Sequence, residues 1–258
     1  MAGHFSGQRV VITGASSGIG AEMARQMASQ GARLVLAARR EPELKAVAEE
    51  CRQLGGAATT VVTDVTVRSQ CRALMESSVA ALGGIDVLVN NAGISMREEF
   101  EHIANLDIFE QLMRVNYLGS VHCTHYALPQ LLESRGSIVV VSSLAGKTGV
   151  PGLTGYAASK YALHGFFESL RIELLDSGVT VTMACPGLVK TGLIRYGGEQ
   201  GTIRSGMSVE TCARIIVRAA GKRKREVIMT PLAKAGQFIK PFLPSLIDRI
   251  ARRKVRPT

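Results

Sequence analysis

The segment SSLAGKTGVPGLTGYAASK, Ser142 to Lys160, places a tyrosine and a lysine four residues apart, downstream of a serine pair and a glycine-broken loop. On a helix, positions i and i+4 share a face, so Tyr156 and Lys160 can serve one substrate. A free phenol titrates near ~10, too high for a proton carrier near neutrality. An ammonium about 4 Å away, in a medium of effective dielectric near ~20, contributes about 4 kcal/mol. At about 1.36 kcal/mol per pKa unit, that is roughly three units. Lys160 is therefore expected to bring Tyr156 toward neutrality, and Tyr156 to give a proton to an oxygen on which negative charge develops. Ser143 would hydrogen-bond that oxygen, as a carbonyl, and fix its orientation. Ser142, one position away, is read as structural. Each of these residues alone is ordinary, because Tyr with Lys at i+4 is common on helix surfaces and serines end many strands.

The elements that must position them are legible as short apolar runs: RVVIT (9–13), RLVLAA (33–38), TTVVT (59–63), IDVLVN (85–90), SIVVVS (137–142), VTVTMA (179–184) and EVIMT (226–230). Continuous β-branched runs fit strands buried on both faces, and the helical stretches between them supply crossovers for a parallel sheet. The expected fold is α/β: a single doubly wound, Rossmann-type domain with about seven parallel strands and helices on both faces. Residues 1–231 are expected to form the dinucleotide-binding catalytic domain. Residues 232–258 read as a basic, partly amphipathic extension of it. Within the first, Gly192 to Ser208 is a long polar excursion of the kind that covers a site or stays disordered.

After the first strand comes TGASSGIG, Thr13 to Gly20, with Gly14, Gly18 and Gly20 spaced Gly-x-x-x-Gly-x-Gly. This spacing allows a tight turn and close backbone approach to a pyrophosphate, which then meets the positive end of the following helix. The second strand ends Ala37-Ala38-Arg39-Arg40, with no acid at its end to take a ribose 2'-hydroxyl. Arg39 offers a planar fork for a 2'-phosphate, with Arg40 beside it, so NADP(H) is expected over NAD(H).

With TGASSGIG, then NNAG at Asn90 to Gly93, then YAASK at Tyr156 to Lys160, the chain resembles the short-chain dehydrogenase/reductase family over roughly residues 8 to 230. The resemblance implies a nicotinamide-dependent oxidoreductase interconverting a carbonyl and an alcohol. It implies cofactor contacts at Gly14, Ser16, Ser17, Gly18, Ile19 and Gly20, and at Asp64 with Val65 beside the adenine. Asn91, Ala92 and Gly93 would flank the ribose, and Lys160 would hold its hydroxyls. Pro186, Gly187, Val189 and Thr191 would lie over the nicotinamide. Asn116, in RVNYLG, would support Lys160 through water, and Ser143 would be the substrate-orienting serine. Where many NADP(H)-preferring relatives carry a base, this chain has Ser17, which places more of the 2'-phosphate task on Arg39.

Composition narrows the remaining choices. Five dispersed cysteines, an odd number without CxxC spacing, argue against a disulfide framework and for a reducing, cytoplasmic setting. Five histidines show no metal-ligand spacing, so no metal is expected. The N-terminal MAGHFSGQRVVITG has no basic region followed by an apolar run, and no window of 18 apolar residues exists, so secretion and membrane spanning are not expected. The net charge of +10 is local: residues 222–258 hold eleven Lys/Arg against Glu226 and Asp248. This tail, with KRKR and FIKPFLPSLIDRIARRKVR, suggests a short amphipathic helix that packs on a subunit or lies on an anionic membrane. Without interleaved aromatics near KRKR, nucleic acid is not an expected partner.

The substrate pocket is expected to be walled by Ile94, Met96, Leu144, Val150, Leu153, Leu188, Leu193, Ile194 and Tyr196, favouring a steroid- or lipid-like carbonyl. Arg195 and Arg204 leave an acidic substrate open. A homodimer or homotetramer is expected. A catalytically idle dinucleotide-binding regulator, or an NAD-dependent alcohol dehydrogenase, is the alternative.

Overall fold

The structure, a computed structural model, describes residues 3–191, the backbone of Arg195–Tyr196, and residues 206–255. The sheet strands are β1 (Arg9–Thr13), β2 (Arg33–Ala38), β3 (Ala57–Val62), β4 (Val87–Asn90), β6 (Ser137–Val141), β7 (Thr180–Cys185) and β9 (Glu226–Ile228). A separate two-stranded ribbon pairs β5 (Ser95–Met96) with β8 (Arg195–Tyr196). The seven-stranded sheet is parallel, in the order β3-β2-β1-β4-β6-β7-β9. The expected strands all form, within two residues of the sequence-derived limits at each end. The third starts earlier, at Ala57, and the seventh stops at Ile228.

Two apolar layers sandwich this sheet. Along β1, Val10 and Ile12 face α1 (Gly18–Ala28), α2 (Glu41–Gln53) and α7 (Val209–Gly221), where Met23, Met27, Leu44 and Ile216 are fully buried. Val11 faces the opposite layer, with Leu74 of α3 (Arg68–Leu82), Leu131 of α5 (Gly119–Ser134) and Phe167 of α6 (Thr154–Glu173). The alternation repeats in β6, whose Ile138 and Val140 join the second layer and Val139 and Val141 the first. Burial on both faces is what a continuous apolar run requires. The result is one doubly wound domain, and the strand order reverses between β1 and β4. Ligands of such folds bind beyond the carboxyl ends of the strands at that reversal.

A third, smaller cluster sits under the site. Ile94, Met96, Ile108 and Leu112 pack with Tyr156, the last two from α4 (Asp107–Leu112). Between α4 and α5, Met113–Leu118 is a turn of π-helix, which carries Asn116 into the interior. At the C-terminus the single amphipathic helix expected from sequence is two helices, α8 (Pro231–Ile239) and α9 (Pro244–Val255). They are divided at Lys240–Leu243, and Pro244 starts the second, as proline suits a first helical turn. No helix among the described residues is long and apolar enough to cross a membrane.

Candidate active site

The glycine loop lies at the sheet reversal. Gly14 has φ +67°, and a Cβ there would stand 2.8 Å from Ala92 Cα. A Cβ on Gly20 would run into Gly14 O and Asn91 Nδ2. Neither position has room for a side chain. Asn91 closes the loop from β4: its Nδ2 donates to Thr13 O at 3.0 Å and Gly14 O at 3.1 Å. Thr13 Oγ1 accepts from the N–H groups of Asn91 and Ala92 at 3.0 and 3.2 Å. The helix behind the loop starts at Gly18, and its N-cap residue Ser17 gives it no side-chain cap. Its first N–H groups, with the helix dipole behind them, thus point out as an anion site. Ile19 is partly buried beside them and packs on the first layer.

Both candidate arginines after β2 are exposed, but they are not equivalent. Arg40 Nη2 donates to Ser17 Oγ at 2.7 Å and Ser16 Oγ at 3.2 Å, and its Nη1 reaches Glu43 at 3.2 Å. The guanidinium is thereby held at the rim of the glycine loop, a place that the sequence argument gave mainly to Arg39. The physical reason is the turn into α2: Arg40 is its N-cap residue, at φ −90° and ψ 99°, and projects back over the loop.

Asp64 follows β3 and forms a tight Asx turn, its Oδ1 accepting from Thr66 N at 2.9 Å and Thr66 Oγ1 at 2.8 Å. Val65 is buried against the backbone of Gly119. Gly93 is where the fourth-strand segment meets the catalytic groups. A Cβ on it would lie 3.2 Å from Asn116 Oδ1 and 3.7 Å from Lys160 Nζ. Asn116 is fully buried. Its Oδ1 accepts from Ile94 N at 2.8 Å, while its Nδ2 donates to Ile94 O at 3.0 Å and Ser159 Oγ at 2.9 Å. Its side chain is thus spent on the 93–94 turn and on the residue before Lys160.

Ser143, Tyr156 and Lys160 converge at the carboxyl ends of β6 and β7. Ser143 caps the short turn Leu144–Gly146, accepting from Ala145 N at 3.1 Å, and its hydroxyl is near enough to the Tyr156 phenol to favour the ionised form. Lys160, only 4% exposed, donates to Val141 O at 2.9 Å, and its Nζ lies 5.6 Å from the centre of the Tyr156 ring. Burial lowers its pKa to about 8. Tyr156 moves the other way: burial raises it, against a smaller lowering influence from Ser143. This corrects the sequence argument, which counted the attraction of the lysine charge and omitted the loss of water around both groups. Among protein groups, then, Lys160 alone does not bring Tyr156 to neutrality.

The loop after β7 covers the same end. Leu144 N donates to the Pro186 carbonyl at 2.9 Å, and Gly187 lies against Leu144. Val189 is buried and bridges to Met207, closing the neck of the excursion, and Thr191 stands beside Gly18. Of the expected pocket wall, Met96 is fully buried beneath Tyr156 and Gly155 and cannot touch a ligand directly. Leu188 is exposed. The side chains of Leu193, Ile194, Arg195, Tyr196 and Arg204 lie outside the described residues.

Sequence reasoning missed a buried polar cluster behind this loop. Ser142 Oγ and His164 Nε2 are hydrogen-bonded at 3.1 Å. Cys185 donates to Glu226 at 3.7 Å, and Lys147 pairs with the same carboxylate at 2.7 Å. His164, Cys185 and Glu226 have the mutual spacing of metal ligands, but the Lys147 ammonium already supplies the positive charge there. Burial, with help from Lys147, holds His164 down at about 4, and burial pushes the Cys185 thiol up to about 12.

The glycine loop at the sheet reversal, with Ser143, Tyr156 and the buried Lys160 at the same end of the sheet, makes up the candidate site. The family model for short chain dehydrogenases matches residues 8–200. The chain belongs to the short-chain dehydrogenase/reductase family, oxidoreductases acting on alcohols and ketones. It is 36% identical to 11-beta-hydroxysteroid dehydrogenase-like 4A of Arabidopsis thaliana, covering 94% of this chain and 83% of that protein. It is 37% identical to 11-beta-hydroxysteroid dehydrogenase A of Sesamum indicum, over 96% and 75%. A short-chain dehydrogenase/reductase from Burkholderia phymatum, solved with NAD, superposes with a TM-score of 0.86 at 27% identity, over 95% and 96%. An alcohol dehydrogenase from Thermococcus sibiricus with 5-hydroxy-NADP gives 0.78 at 25%, over 86% and 95%.

Proposed function

We propose that this protein is an NADP(H)-dependent reductase and dehydrogenase that interconverts an apolar, steroid- or lipid-like carbonyl and its secondary alcohol. The observation that carries this reading is the placement of Tyr156 beside the buried Lys160, whose Nζ lies 5.6 Å from its ring centre, with Ser143 at the end of β6 acting on the same phenol.

The residues suit the cofactor. Gly14 and Gly20 leave the backbone bare for a pyrophosphate, the uncapped start of α1 offers N–H groups, and Arg40 with Ser16 and Ser17 forms a cationic rim for a 2'-phosphate. Bound NADPH would supply the hydride to the carbonyl carbon. Tyr156 delivers the proton to the carbonyl oxygen as charge develops there. Ser143 donates a hydrogen bond to that oxygen and orients it. Lys160, protonated, holds the ribose hydroxyls and stabilises the tyrosinate that remains. Asn116 positions this pair by fixing Ser159 and the 93–94 turn.

Three features support the apolar substrate: exposed Leu188, the exposed Phe100 and Leu106 beyond β5, and the steroid-dehydrogenase names of the similar plant proteins. A homo-oligomer in a reducing, cytoplasmic setting fits the exposed Ile172 and Leu175 at the end of α6 and five buried free thiols. An NAD-dependent reading draws on the NAD in the Burkholderia phymatum structure. Absorbance at the nicotinamide band, with NADPH or NADH and a panel of carbonyls, tests both. Turnover confined to small hydrophilic carbonyls sinks the apolar reading, and a preference for NADH sinks the cofactor assignment. Tight NADPH binding with no turnover on any carbonyl would leave an idle, regulatory binder.

A further inference from the structure

The turn between α8 and α9 is an apolar corner left uncovered by the other described residues. Phe238 is 79% exposed, Phe242 83% and Leu243 54%, all within six residues, and Ile250 on α9 is exposed as well. Scattered apolar residues are normal on a surface; two nearly bare phenylalanines beside a bare leucine form a patch that seeks an apolar phase. The same segment is the basic part of the chain, with Lys234, Arg249 and Arg252 on the two helices, Lys240 between them, and a net charge of +9 over residues 222–258.

A second copy is a poor occupant. A twofold contact sets a surface patch against itself, so this cationic segment would face its own like charge. An anionic bilayer answers both properties at once: its headgroup boundary accepts aromatic rings, and its surface potential attracts lysine and arginine. We propose that the α8–α9 corner is a docking surface for anionic phospholipid membranes. Phe238, Phe242 and Leu243 enter the headgroup–acyl boundary, and the flanking basic side chains meet lipid phosphates and carboxylates. The helices lie on the bilayer, neither being long enough to cross it.

The fold also sets which side of the enzyme meets the lipid. β9 runs parallel to β7, so α8 departs from the carboxyl edge of the sheet, where Ser143 and Tyr156 lie. Lys240 fastens the corner to the site loop, donating to Lys147 O at 2.8 Å and to the Tyr161 phenol oxygen at 2.9 Å. Docking therefore holds the loop that carries Ser143 toward the bilayer. An apolar substrate could then reach it without crossing water; this last point rests on the proposed substrate class, and the docking does not.

Sedimentation of the full-length protein with phosphatidylcholine vesicles, with and without phosphatidylserine, tests the proposal. Binding is expected to be at least tenfold stronger with phosphatidylserine and to fall steeply as salt is raised. The double variant Phe238→Ser/Phe242→Ser is expected to lose at least tenfold of that binding, with the circular dichroism and melting temperature of the parent. No sedimentation of the parent would overturn the proposal, as would equal binding by the double variant. Light scattering that shows a parent dimer split by the same two changes, with no vesicle binding, would assign the corner to a second copy. Because this assay needs no turnover, its failure would leave the oxidoreductase reading standing, and the reverse also holds.

Discussion

The Ser143 hydroxyl favours ionisation of the Tyr156 phenol, although the two residues arrive from the end of β6 and the first turn of α6, across a loop with three glycines. That influence opposes burial, which raises the Tyr156 pKa. Ser143→Ala is expected to lower kcat about a hundredfold or more, in line with the loss of one oxyanion donor. Tyr156→Phe should fall further, to background, with NADPH binding retained by fluorescence titration. Turnover by Tyr156→Phe within tenfold of the parent would remove Tyr156 as the acid.

Arg40, held by Ser16 and Ser17, should decide the choice of cofactor. A hydrogen bond to a charged group is worth about 1.5–3 kcal/mol, so Arg40→Ala should raise the KM for NADPH about ten- to a hundredfold and leave that for NADH nearly unchanged. Arg39→Ala should do less. Equal losses with both cofactors would mean that Arg40 shapes the loop and does not read the 2'-phosphate.

Lys160 makes stability depend on alkaline pH. Its folded pKa, about 8, lies below the ordinary value of 10.5, so between these pH values the unfolded chain binds the extra proton. The sign follows: stability from this group is fully present above about 10.5 and is lost as pH falls through about 8. Urea unfolding of the cofactor-free parent should gain about 2 kcal/mol on Lys160→Met between pH 7 and 9.5. A difference that stays flat over this range would mean that Lys160 is hydrated in solution.

His164 imposes the acid counterpart. Held near 4 and only slightly exposed, it stays neutral where a free histidine charges at about 6.5. Stability is lost as pH falls from about 6.5 toward 4, because only the unfolded chain takes the proton. His164→Gln, which can still meet Ser142, should gain about 2 kcal/mol relative to the parent between pH 7 and 5. Parallel unfolding curves for the two proteins would show the imidazole to be free to protonate in place.

The strands were readable because burial on both faces leaves a continuous apolar record, as in Val10–Val11–Ile12, and the glycine loop because side chains are sterically barred there. Spacing also brought Ser143, Tyr156 and Lys160 together on paper. The roles within pairs were not readable. Whether Arg39 or Arg40 meets the glycine loop depends on the backbone angle at the start of α2, and the proton affinity of Tyr156 depends on lost water, which no spacing encodes. The cluster of Lys147, His164, Cys185 and Glu226 left no trace, since it draws single, ordinary residues from a loop, a helix and two strands.

The bridge between Val189 and Met207 gives the enzyme an interchangeable part. Lys190 N donates to Met207 O at 3.0 Å and Met207 N to Leu188 O at 2.9 Å, so the chain leaves and re-enters the body at one clasp. Two described contacts tie the residues strung between to the frame, Thr191 beside Gly18 and Arg195–Tyr196 paired with Ser95–Met96, so a replacement must keep both to leave Tyr156 and the glycine loop in place. Grafting the corresponding stretch of a relative onto this clasp is thus a route to new carbonyl preferences on an unaltered hydride-transfer frame.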